Sequence, residues 1–143
     1  PALAFVAKRK ANYARLRDGL KDLPQLKAFR PLPASDPSWF GFLMTVQPQA
    51  GFTRNDLARH LEAANIQTRN LFAGNLTRHP CMEALVRGID YRVVGTLMND
   101  ALWIGLYPGM DEAKLAYMVK TIRDFCAFAG NVRCHGKPIR RGI

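Results

Sequence analysis

The chain has 143 residues, 48% of them hydrophobic, and carries a formal charge of +10 from 21 Lys+Arg against 11 Asp+Glu. This is the length of one globular domain with a real core, and the apolar content excludes a disordered segment. No run approaches the roughly 18 apolar residues of a membrane-spanning helix. The positive balance favours anionic partners: nucleic acid, a phosphate-bearing ligand or an acidic neighbouring domain. The charge is spread, with local clusters only at Lys8-Arg9-Lys10 and Arg140-Arg141, so it reads first as a solvated face plus an anionic ligand. No secretory leader is visible, the missing Met at Pro1 points to a piece of something longer, and the irregular cysteines fit thiols in a reducing cytoplasm.

In chain order, Leu3, Val6, Tyr13, Leu16 and Leu20 recur at helical spacing and predict a first helix ended by Gly19 and Pro24. The prolines at 24, 31, 33 and 37 then predict an extended connection over 24–38. Residues 39–46 are apolar on both alternating faces, as an inner strand would be. Thr53 and Asp56 form a capping-box-like start to a second helix whose inner face is Leu57, Leu61 and Ala64, with Asn65 ending it in a left-handed conformation. Residues 66–70 read as a short strand leading into a polar loop. Residues 91–94 and 102–107 read as two more strands, with Pro108-Gly109 as a turn. Leu115, Met118, Val119, Ile122, Phe125 and Cys126 make one helical stripe, begun by Asp111-Glu112 and closed by Gly130. The tail, 131–143, is polar and basic. The predicted order is helix, strand, helix, strand, strand, strand, helix. This is an α+β fold with a mostly antiparallel sheet of three to four strands packed with helices.

The chemistry concentrates in Ile66-Gln67-Thr68-Arg69-Asn70-Leu71-Phe72-Ala73-Gly74-Asn75-Leu76-Thr77-Arg78-His79-Pro80. Arg69 suits bidentate recognition of a phosphate or carboxylate, and equally a salt bridge to a neighbouring acid. Phe72 offers a face for a flat ring or a plug for the core. Asn75 can bond a hydroxyl or accept a left-handed turn. His79 is the one histidine suited to a site, with a turn role as its alternative. His60 reads as an exposed helix residue and His135 as incidental. Asn99-Asp100 either caps the following strand or orients the same cleft. No Gly-x-Ser-x-Gly, phosphate loop or CxxC occurs. Cys81, Cys126 and Cys134 are odd in number and irregular in spacing, which argues for inert thiols, with Cys126 on an apolar helix face, and for no metal site.

These segments resemble a known family. Residues 53–62, the run from Ile66 to Asn75, Tyr91-Arg92-Val93-Val94-Gly95, Met98-Asn99-Asp100 and residues 103–109 are similar to the C-terminal part of the nucleotide-sugar 3-dehydrases. The type is the CDP-4-keto-6-deoxyglucose 3-dehydrase of lipopolysaccharide biosynthesis, within the sugar aminotransferase-like family of aspartate aminotransferase fold. The resemblance covers residues 1 to 128. It implies that 1–130 is the C-terminal small domain of a fold type I pyridoxal-phosphate enzyme and 131–143 a basic tail. It implies pyridoxal or pyridoxamine phosphate as electron sink, bound mainly by an absent larger domain, and a histidine in place of the usual lysine. One branch also carries a 2Fe-2S cluster and a partner reductase. The substrate implied is a nucleotide sugar bound by a homodimer, with neither membrane nor nucleic acid as partner. It implies Arg69, Phe72 and Asn75 as substrate-binding residues, to which the reading of the residues themselves adds His79 and Asn99 as candidates. No catalytic residue is identifiable, and the isolated chain is expected to be inactive and to self-associate through an uncovered apolar face. Two departures stand out. Only Gly95-Thr96-Leu97 separates the Tyr91 segment from Met98 where the family has a longer loop, and the tail matches no familiar pattern. The alternatives are a nucleotide-sugar aminotransferase of the same fold and a stand-alone basic module for anions or nucleic acid.

Overall fold

The computed structural model describes residues 2–82 and 92–132. Its elements run α1 (Ala2–Leu20), β1 (Leu26–Ala28), β2 (Gly41–Val46), α2 (Arg54–Ala63), β3 (Thr68–Asn70), α3 (Arg92–Asp100), β4 (Ala101–Gly105) and α4 (Glu112–Val132). Two 3₁₀ turns, Leu76–Arg78 and Pro80–Met82, follow β3. The four strands form one antiparallel sheet in the order β1-β2-β4-β3, so the predicted α+β architecture holds and β2 is the inner strand that its apolar pattern demands.

Strand alternation sorts the sheet into two faces. Phe42, Met44 and Val46 of β2 and Leu102 and Ile104 of β4 are buried in a single core. Tyr13, Leu16 and Leu20 of α1, Leu57 and Leu61 of α2, and Leu115, Met118, Ile122 and Cys126 of α4 pack into the same core. Gly19 lets α1 meet α4: a Cβ there would come within 2.8 Å of Val119 Cγ2. Arg123 of α4 ties the same junction, donating to Gly19 O at 2.8 Å and to both carboxylate oxygens of Asp22 at 2.7 and 2.8 Å. Those bonds hold the Asp22 carboxyl down at about 2. Cys126 is fully buried, and loss of solvent raises its thiol to about 11, so the prediction of an inert thiol stands there.

The second helix starts as its sequence indicates. The Thr53 side chain accepts from the Asp56 N–H, the Asp56 carboxylate accepts from the Thr53 N–H at 2.8 Å, and Asn65 adopts φ 59°.

Four expectations are corrected. The segment 92–94 is not a strand: Arg92–Asp100 is the helix α3, and Tyr91 lies outside the described residues. The two valines favour strand locally, but Val94, Leu97 and Met98 recur at i, i+3, i+4 and face one cleft together. Gly95-Thr96-Leu97 lies mid-helix. The proline-rich connection contains β1, an edge strand paired with β2 through Leu26↔Val46, Lys27↔Thr45 and Ala28↔Met44; prolines are tolerated around an edge. Leu3 is 86% exposed, because the buried side chains of α1 lie in its C-terminal half. Gly130 does not end α4, which continues to Val132, since one glycine costs a helix only about 1 kcal/mol. The segment 133–143, with Cys134 and His135, lies outside the described residues. No helix among the described residues is long and apolar enough to cross a membrane.

Candidate functional site

The polar segment begins at the end of β3. Arg69 pairs with Trp103 of β4, which puts it on the sheet face opposite the core, exposed to solvent. Its flanking residues turn the other way, toward α2: Thr68 donates from its hydroxyl to Glu62 at 2.7 Å, and Asn70 accepts through its side chain from Arg54. Burial pulls the Arg54 pKa down while the carboxylate of Asp100 opposes it, yet a guanidinium stays charged at any accessible pH.

Beyond Asn70 the chain reverses sharply. The Phe72 N–H donates to Asn70 O at 2.8 Å and the Gly74 N–H to Leu71 O at 3.0 Å. Phe72 takes φ 46° and Gly74 φ 67°. The left-handed region costs a side chain with a Cβ about 1–2 kcal/mol. Phe72 recovers little of this by burial, because it is 78% exposed; of its two readings, the core plug is excluded. Gly74 lies so close to α3 that a Cβ would approach Met98 Cγ at 2.6 Å.

Asn75 is 3% exposed. Its φ is −89°, and its side-chain oxygen accepts from the Thr77 N–H at 3.0 Å and the Thr77 hydroxyl at 2.6 Å. That oxygen is committed to shaping the first 3₁₀ turn rather than free for a hydroxyl of a ligand. The His79 ring shares a hydrogen through Nε2 with Ala73 O at 3.0 Å, closing the loop on itself. Asn99 is exposed near the C-terminal end of α3. His60 is exposed, as expected, with its ring 4.8 Å from that of Phe125.

Phe72, Asn75 and His79 are thus gathered in one loop beside α3. Between loop and helix lies an open cleft of about 280 Å³ lined by Leu71, Phe72, Gly74, Val94, Leu97 and Met98. A second depression of about 300 Å³ is lined by Thr77, Arg78, His79 and Pro80. The first is an apolar slot for a flat or methyl-bearing group, and the second carries the Arg78 guanidinium. Arg54, the slot wall from α3 and the Trp103 indole lie outside the polar segment, and their one signal in the sequence is the i, i+3, i+4 spacing of Val94, Leu97 and Met98.

The sequence matches the model of the DegT/DnrJ/EryC1/StrS aminotransferase family over residues 3–123. The chain belongs to the DegT/DnrJ/EryC1/StrS aminotransferase family. It is 44% identical over 130 residues to the dTDP-4-dehydro-2,6-dideoxy-D-glucose 3-dehydratase of Saccharopolyspora spinosa, covering 87% of this chain and 27% of that protein. It is 42% identical over 131 residues to the lipopolysaccharide biosynthesis protein RfbH of Salmonella typhimurium, covering 85% and 28%. The aminotransferase TlmJ from Streptoalloteichus hindustanus shares its fold at a TM-score of 0.75 and 18% identity, over 88% of this chain and 33% of that one. The GDP-4-keto-6-deoxy-D-mannose-3-dehydratase of E. coli, solved with bound hydrated PLP, does so at 0.74 and 21%, over 83% and 31%. The chain therefore spans under a third of the length of the relatives it matches.

A DegT/DnrJ/EryC1/StrS protein that uses pyridoxal phosphate needs donors around the phosphate and a carboxylate at the ring nitrogen. The apolar slot here is lined by no cation and no acid, so that slot is not a seat for the cofactor. Cys81 is exposed and Cys126 buried, and no group of three or more His, Cys, Asp or Glu able to hold a metal occurs among the described residues.

Proposed function

We propose that residues 1–130, with a basic tail at 131–143, are the C-terminal small domain of a pyridoxal-phosphate-dependent NDP-4-keto-6-deoxyhexose 3-dehydratase of deoxysugar (lipopolysaccharide O-antigen) biosynthesis. The observation that carries this reading is the 44% identity over 130 residues to a sugar 3-dehydratase, within a family match that includes the whole polar loop. In this reading the remainder of the polypeptide holds the cofactor and the proton-abstracting group. The full-length enzyme is a cytoplasmic homodimer. A 2Fe-2S cluster and a reductase belong to it if that remainder carries the cysteines to bind the cluster.

The small domain contributes the substrate face. Arg69 supplies a cation for the diphosphate, and Phe72 a flat apolar surface over the base or sugar. His79 and Asn99 border the site with polar groups, while Asn75 shapes the loop that presents them. Closing such a face over the reacting sugar excludes water and strengthens every polar contact inside.

The test is mass analysis of the sugar after the full-length protein is incubated with an NDP-4-keto-6-deoxyhexose and pyridoxamine phosphate. Loss of the C3 oxygen is the expected outcome. Replacement of the 4-keto oxygen by an amino group would instead establish the aminotransferase reading, which the family's name favours.

A further inference from the structure

We infer that Arg54 and Trp103 are positioning residues that grip Asn70 from two sides and thereby fix where Phe72 projects. The inference rests on the reading that Phe72 faces the nucleotide sugar. Asn70 is the last residue of β3 and the pivot of the reversal. Its side-chain oxygen accepts from Arg54 Nη1, and the same Nη1 reaches Ala101 O at 3.4 Å, bridging the β3 and β4 ends. Its carbonyl accepts from the Trp103 indole Nε1–H at 3.2 Å and from the Phe72 N–H at 2.8 Å. Both acceptors of Asn70 are therefore engaged where the chain enters the left-handed residue.

Each gripping side chain is itself anchored. Arg54 is the first residue of α2, whose start is locked by the reciprocal Thr53–Asp56 bonds. The indole of Trp103 lies over Gly41, where a Cβ would come within 2.5 Å of Cε3, and meets the Phe40 ring edge-on at 5.3 Å. Neither Arg54 nor Trp103 lines the cleft, so neither is placed to touch a ligand in it. A left-handed Phe persists only when its surroundings over-determine it, and these contacts run unbroken from the α2 cap and the sheet to Phe72.

The test uses the full-length protein, with dTDP-glucose and CDP-glucose as probes and Arg54→Ala, Arg54→Lys, Trp103→Phe and Phe72→Ala as variants. Trp103→Phe keeps a ring and removes only the N–H. In Arg54→Ala and Trp103→Phe the Phe72 and Gly74 amides are expected to exchange with solvent at least about tenfold faster, while those of Phe42 and Ile104 are unchanged. Arg54→Lys, which retains a donor, restores slow exchange. Affinity for the probe falls about tenfold in Arg54→Ala, and adding Phe72→Ala to it costs nothing more, because one group acts through the other. Unchanged exchange at Phe72 and Gly74 would overturn the grip. Additive losses of affinity would overturn it too, by showing that Arg54 meets the ligand itself. A Phe72→Ala variant that binds like wild type would sink the binding reading underneath, while faster exchange at Phe72 and Gly74 in Arg54→Ala would still show that the grip fixes where Phe72 projects.

Discussion

Replacing Phe72 by glycine separates a ring kept for stability from a ring kept for contact. The backbone there has φ 46°, and releasing a non-glycine residue from the left-handed region recovers about 1–2 kcal/mol. Against this, glycine widens the unfolded ensemble by roughly 0.4–1 kcal/mol. With 78% of the residue exposed, only about a fifth of its surface is buried. For a side chain that can bury about 150–250 Å² at about 25 cal/mol per Å², the lost burial is worth about 1 kcal/mol. The terms nearly cancel. Phe72→Gly is therefore expected to stay within about 1 kcal/mol of wild type, a shift in Tm of no more than roughly 4 °C, although it deletes a whole phenyl ring. Phe42→Ala, at a residue only 1% exposed, should cost about 3–5 kcal/mol. Urea denaturation of the two variants in parallel measures both. A loss above about 2 kcal/mol for Phe72→Gly would show instead that the ring holds the fold and that the exposed, strained conformation is not its working one.

Other outcomes follow from the same geometry. Asp22 is held at about 2 by Arg123, below the ordinary carboxylate value near 3.9, so the unfolded chain binds more protons between those values and stability rises with pH through that window. Thermal melts of wild type and Asp22→Asn should accordingly converge at about pH 2 and separate by about pH 5, with wild type higher; parallel curves would contradict the pairing. Iodoacetamide at about pH 8 should label exposed Cys81 and leave native Cys126 unmodified, its thiol lying near 11; peptide mass spectrometry reads the difference. Thr53→Ala removes one half of the capping box and should cost about 1 kcal/mol in denaturant titration. Gly74→Ala puts a Cβ against Met98 at a left-handed position and should cost about 1–2 kcal/mol, with shifted Met98 methyl resonances as the local sign.

The elements readable in the sequence were those whose periodicity and punctuation agree. The α4 stripe, the Thr53–Asp56 box, left-handed Asn65 and the doubly apolar β2 each have local causes that tertiary packing reinforces. What misled was local preference set against context. The valines of α3 carry strand propensity, but the helix forms where Val94, Leu97 and Met98 wall the slot. The strand β1 is only three residues long and is held by pairing with β2, which no local signal reports. The candidate site was legible as composition, since Arg69, Phe72, Asn75 and His79 fall within one short segment. Their division of labour was not. The reversal that exposes Phe72 is held at Asn70 by Arg54 and Trp103, which lie 16 and 33 residues away in sequence, and Asn75 is spent on the turn through Thr77.

On the proposed reading, the Arg69–Phe72 segment is the nucleotide-sugar face of this domain. Equilibrium binding of dTDP-glucose and CDP-glucose to the full-length protein, compared with Arg69→Ala and Phe72→Ala, tests it most directly. The account predicts that each substitution weakens the preferred probe by about tenfold or more, close to 1.4 kcal/mol, with cofactor absorbance unchanged and with less salt dependence remaining in Arg69→Ala. Wild-type affinity in both variants would contradict it.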